Sequence, residues 1–200
     1  MNSGLKRKGH LPSDIRQRAK LSSIALRPSS PLPLAEARRK DEALDFSAKF
    51  VEALSGKPMR RRIELVVMPV FMADGPHYWL EKHTIYLPSR TDASKAVHEL
   101  VHAQHNHKGK GFIKTVYREG LATFAMDVFN GHTQYFWLLF DKPDYVPFTR
   151  SLHGLSKLVG DPAKAFQIAA ARAPETFWQL ISPKKFYKEE IAAAKQPAPI

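Results

Sequence analysis

Apolar positions follow two different periods along this chain, and the change of period marks its parts. Between residues 35 and 54, Ala43, Leu44, Ala48, Val51 and Leu54 keep the three-to-four spacing of one helix face, and Gly56-Lys57-Pro58 supplies a stop. Ile63-Glu64-Leu65-Val66-Val67-Met68-Pro69-Val70 is a β-rich run and predicts a strand. Ala73-Asp74-Gly75-Pro76 predicts a turn. Tyr78-Trp79-Leu80 and Thr84-Ile85-Tyr86-Leu87 predict a hairpin joined by Glu81-Lys82-His83. The helical period then returns over 92–107. Ser89-Arg90-Thr91-Asp92 has the form of a capping box at its start, and Gly109 and Gly111 stand at its end.

A further helix is predicted over 112–129, with apolar positions 112, 113, 116, 121, 124, 125 and 128. Gly120 interrupts it at a cost of about 1 kcal/mol relative to Ala. Close approach to the preceding helix would account for it. Past Gly131 the chain turns helical and alanine-rich. Asp161-Pro162 forms an N-cap and N1 pair for a helix through about Arg172, and Pro174 and Pro183 each open a short helix. The predicted class is α+β: a small antiparallel sheet packed on the helix 92–107, followed by a mainly helical C-terminal half.

Charge separates one end from the rest. Residues 1–40 hold ten Lys or Arg against two acids, so +8 of the net +12 lies there. Together with Ser22-Ser23 and Pro28-Ser29-Ser30-Pro31-Leu32-Pro33, this predicts a basic tail over 1–34 and one domain over 35–200. Within that domain, 35–108 carries the first helix, the sheet and the second helix, and 109–200 the helical part. Solvation is the first expectation for the tail, and an anionic partner for residues 1–40 is the alternative. No apolar run approaches a membrane span; the longest, Tyr135 to Phe140, has six residues. The absence of cysteine rules out disulfides and leaves His and carboxylate as the strong metal donors. The start has no apolar signal region, so a cytoplasmic location is expected, with organellar import through the basic N-terminus as the alternative.

The chemistry concentrates in His98-Glu99-Leu100-Val101-His102 and, 17 residues after His102, Glu119-Gly120-Leu121-Ala122. Residues four apart share a helix face, so His98 and His102 can offer imidazole nitrogens to one ion. Glu119 on the next helix can close a third side. Three protein ligands and an open fourth position are the pattern of catalytic zinc. Glu99 lies about 100° round the helix from His98, beside the metal without binding it, as suits a general base. A histidine ten residues after His98 would mark another zinc class, but that position is Lys108, and the glycine that class needs at 105 is His105. His105 is expected at the rim of the cleft and His107 at the surface. His77 and His83 flank the hairpin and are expected to be exposed.

Over about residues 62–130 the pattern resembles the gluzincin group of zinc metallopeptidases, in compact, single-core form. The resemblance implies a zincin-like fold, Zn2+ held by His98, His102 and Glu119, and hydrolysis of a peptide bond with Glu99 as base. It implies that the strand at Thr84-Ile85-Tyr86-Leu87-Pro88 is the edge above the cleft, holding a peptide or protein substrate in extended form. It also implies an oxyanion-stabilising Tyr or His from the helical second half. His153 and Tyr145 are the first candidates, ahead of Tyr135 and His132. Several gluzincins carry Asp four residues after the ligand Glu; here that position is Thr123, and Thr123 or Asp127 is the candidate to orient a ligand histidine.

Two other functions compete with this one. A nucleic-acid-associated zinc protein, or a SprT-like protease, would use the basic tail for affinity and predicts salt-dependent binding. A non-catalytic scaffold would keep the fold with its cleft plugged, for which residues 196–200 are the candidate segment.

Overall fold

Helix α1 (Leu34–Ser55) turns Leu44, Ala48, Val51 and Leu54 inward, the face that the spacing predicted. The computed structural model describes residues 34–59, 63–68, 75–88, 93–105, 111–131 and 143–196. The basic tail, the Ser89–Asp92 capping box, His107, His132, the run 135–140 and the end of the chain from 197 lie outside the described residues.

Strands β1 (Glu64–Met68), β2 (His77–Trp79) and β3 (Thr84–Pro88) form one sheet in the order β1-β3-β2. The hairpin forms as predicted, with His77 opposite Tyr86, Tyr78 opposite Ile85 and Trp79 opposite Thr84. β1, however, pairs with β3 in parallel, from Glu64 opposite Thr84 to Met68 opposite Pro88. The sheet is therefore mixed and not wholly antiparallel, and β3 is its central strand. Alternation of side chains tells which face is buried; it carries nothing about which strand lies alongside or in which direction. Thr84, Ile85 and Leu87 are all buried, as befits a strand with neighbours on both edges.

Helix α2 (Ala93–His105) follows, held against α1 at both ends. Ser47 Oγ donates to the carbonyl of Ala93 at 3.2 Å, and Gln104 Nε2 donates to that of Lys57 at 2.6 Å. Its Val97, Leu100 and Val101 are buried, as are Val116, Leu121 and Phe124 of α3 (Phe112–Asn130), which packs alongside. Gly111, expected near the end of α2, is instead the N-cap position of α3.

The second half is helical as predicted. A 3-10 turn (Pro143–Tyr145) leads into α4 (Val146–Val159), followed by α5 (Pro162–Ala171), α6 (Phe177–Ile181), α7 (Pro183–Phe186) and α8 (Lys188–Ala194). Asp161 caps α5 through Oδ1, which accepts from Ala163 N at 2.7 Å and Lys164 N at 3.4 Å, with Pro162 in the first turn. Pro183 opens α7, but Pro174 opens nothing. The helix after it starts at a Thr176/Gln179 capping box, and Pro174 is buried two residues ahead of that cap. A hydroxyl and an amide that satisfy the first N–H groups specify that start more strongly than a nearby proline does.

Gly120 has its packing reason, on a different neighbour from the one expected. A Cβ there would stand 2.5 Å from Phe148 Cδ1, so the glycine admits α4 and not α2. One residue earlier, Glu119 points toward α2, so adjacent positions of α3 serve two different contacts.

Candidate metal centre

The site is assembled from α2 and α3, and the sheet supplies its far wall. On α2, His98 and His102 are one turn apart, with ring centroids 4.8 Å from each other and planes nearly perpendicular. Their Nε2 atoms lie 3.2 Å apart. Glu119 faces both across the seam: Oε2 is 3.2 Å from His98 Nε2, and Oε1 is 3.4 Å from His102 Nε2. One donor atom from each of the three falls within 4.8 Å of the other two, so the group can hold a metal ion. The three predicted ligands are thus brought together by two helices that are separate in sequence.

Electrostatics fit such a role. Burial alone would lower the pKa of His98, but the hydrogen bond to Glu119 and the charges of Glu99 and Glu119 outweigh it and raise the value. Burial alone would raise the Glu119 carboxyl, yet hydrogen bonds and charge from His102 and His98 hold it well below the usual carboxylate range. Glu119 is therefore an anion aimed at two imidazoles, a donor set that a cation completes.

Glu99 stands beside the ligands at 7 % exposure and borders the same cleft, whose volume is about 310 Å³. Opposite it are His77, Tyr78 and Leu80 of the hairpin. No protein family, curated protein or solved structure matches the chain. The donor geometry and the cleft around it therefore bear the whole weight of a functional reading.

Three expectations need correcting. The strand at the cleft is β2, not β3, because β3 is central and its backbone is paired on both sides. Among the described residues β2 has no second strand neighbour and is an edge strand of the sheet. His153 and Tyr145 do not border the cleft. His153 Nε2 lies 2.9 Å from Asp127 Oδ2, and its ring meets the edge of Phe124 at 4.8 Å. Asp127 is eight residues beyond Glu119, about 12 Å further along α3. Tyr145 sits at the end of the 3-10 turn, half-buried, its carbonyl accepting from Thr149 Oγ1 at 3.0 Å. Tyr145 is the N-cap residue of α4 and His153 lies within it, and α4 packs on another face of α3. Asp127, a candidate to orient a ligand histidine, faces His153 instead.

The remaining histidines divide. His77 is exposed as expected, yet it also borders the cleft, stacked on Tyr86 with centroids 5.0 Å apart. His83, expected to be exposed, is half-buried with Nδ1 hydrogen-bonded to the Tyr78 hydroxyl. His105 turns from the rim toward Phe166 of α5, with centroids 5.4 Å apart. Four further cleft residues, Pro76, Tyr78, Leu80 and Arg118, were given no site role by the sequence. For Arg118 a signal existed: it immediately precedes Glu119, so a helix that aims Glu119 into a cleft leaves Arg118 at its border.

Proposed function

We propose that this chain is a zinc-dependent peptidase of the gluzincin type, with a zincin-like arrangement of sheet and paired helices. The single observation behind the reading is the convergence of His98, His102 and Glu119 next to Glu99 in one open cleft. A tetrahedral ion with bonds of about 2.0–2.1 Å needs donors roughly 3.3 Å apart. The two imidazole nitrogens, 3.2 Å apart, lie close to that value, and one donor atom of Glu119 falls within 4.8 Å of both. Two imidazoles and one carboxylate, with a fourth side open to the cleft, are the donor set of hydrolytic zinc, whereas structural sites are closed by a fourth protein ligand.

When bound, zinc in such a site makes water acidic enough to react near neutral pH and polarises the carbonyl under attack. The protein's own residues do the rest. Glu99, nearly buried beside the ligands, takes the proton of the attacking water and passes it to the leaving amine. The β2 edge orients an extended backbone across the cleft, which favours a peptide over a small isolated amide.

Glu99→Gln keeps the shape of the side chain and removes its basicity. Hydrolysis of a mixed peptide library should fall by at least about a hundredfold, while zinc content by elemental mass spectrometry stays that of the wild type. Hydrolysis at the wild-type rate in that variant would overturn the reading.

A further inference from the structure

We infer that Arg118 recognises a carboxylate on the substrate, so that the cleft selects peptides bearing an anionic group near the bond to be cut. This inference rests on the peptidase reading of the same site. Arg118 is half-buried and borders the cleft that holds His98, Glu99, His102 and Glu119. It also borders a small pocket beside Val101, His102 and Leu121, which places its stem over the seam between α2 and α3. Its guanidinium makes no ion pair or side-chain hydrogen bond with the described residues, although two carboxylates share the cleft. Glu119 is taken by the two imidazoles, and Glu99 is not within ion-pair distance.

A guanidinium is always charged and cannot be relieved by losing its proton. Held against a partly dry wall without a counter-ion, it favours whatever anion enters. Its planar fork of N–H donors matches a carboxylate two bonds at a time, which a single developing oxyanion does not offer. Among the described residues Arg118 is the one lysine or arginine that lines this cleft. The carboxylate can come from the C-terminus of a short peptide or from an Asp or Glu side chain.

The test is binding of zinc-chelating peptide hydroxamates to the full-length, zinc-loaded protein, read by competition calorimetry. One pair of probes differs only in a free or amidated C-terminus; a second pair differs only in Asp against Asn. Tighter binding of either acid over its neutral twin, by about tenfold or more, supports the inference, and the pair that shows it identifies the source. That ratio should fall to near one in Arg118→Gln and be partly kept in Arg118→Lys. A merely structural arginine would weaken both members of a pair alike and leave the ratio unchanged. Acid and neutral probes that bind equally well overturn the role of Arg118 and leave the metal centre standing. Failure of every hydroxamate to bind overturns the peptidase reading and this inference with it.

Discussion

Glu119 is the residue on which the centre turns, because its carboxylate reaches from α3 to both histidines of α2. Glu119→Ala should therefore lose most of its metal on dialysis against a mild chelator, while the wild type keeps one zinc per chain; elemental mass spectrometry reads the difference. Two linkages also follow in the metal-free protein. The Glu119 carboxyl is lowered in the folded state, so its contribution to stability is present above the ordinary carboxylate value and fades as pH falls through the lowered one. His98 is raised, so its contribution is complete below its ordinary value of 6.5 and is lost as pH rises through the raised one. Metal binding needs His98 neutral, so the proton competes directly with the ion. Below the raised His98 value, apparent zinc affinity should drop by about tenfold per pH unit. A competition titration with a chromogenic chelator across mildly alkaline to mildly acidic buffers measures the slope, and a flat profile would remove His98 from the ligand set.

At the scale of elements, the placing of Glu119 depends on how α3 is wedged between α2 and α4. Gly120 is a point of close approach to α4, with Phe148 Cδ1 at 2.5 Å and its Cβ and Cγ at 3.3 Å from a notional Cβ. Gly120→Ala would gain about 1 kcal/mol of helix propensity and lose about 1–3 kcal/mol to overpacking. The clash should win, because Phe148 is fully buried and its own Cβ is too near for the ring simply to swing aside. A melting temperature lower by a few degrees is the expected result, with weaker zinc retention because the adjoining ligand shifts. Trimming the partner in Gly120→Ala/Phe148→Leu should restore part of both. α1, α2 and α3 were legible in the spacing of apolar residues, and α5 in its Asp161-Pro162 start, and all four lie where those signals put them. The direction of β1 was not legible, since a parallel neighbour and an antiparallel one demand the same alternation of buried and exposed side chains.

Across the whole molecule, two tyrosines tie the helical half to the metal helices. Tyr117 of α3 and Tyr187, between α7 and α8, are both fully buried, and burial pushes both hydroxyls above their ordinary pKa, keeping them neutral donors. Tyr117 donates to the carbonyl of Ala169 at 3.0 Å; Tyr187 donates to that of Arg172 at 2.9 Å and reaches Ala169 at 3.4 Å. These carbonyls lie at the C-terminal end of α5, where helix geometry leaves acceptors without partners. Tyr187→Phe strands such an acceptor and should cost about 1–3 kcal/mol, seen as an earlier midpoint in urea, with zinc content unchanged because no ligand moves. Among the described residues no helix is long and apolar enough to cross a membrane.

The sequence by itself determined the helices, the hairpin and the three residues of the candidate metal site. Each of these rests on local spacing: a four-residue step from His98 to His102, two-residue alternation in β3, and apolar stripes along the helices. Glu119 was legible as the third member of the group because His105 and His107 are badly placed on the helix and a Glu on the next helix matches the gluzincin pattern that the sequence resembles. Only the tertiary structure decided that β3 is central and β2 an edge strand at the cleft, that Gly120 admits α4, and that His153 and Tyr145 are carried away from the cleft while Arg118 stands at its border. Those outcomes depend on which faces of different elements meet. Periodicity tells a residue which way to point along its own helix or strand, but the neighbour it meets there is chosen by packing across the whole chain.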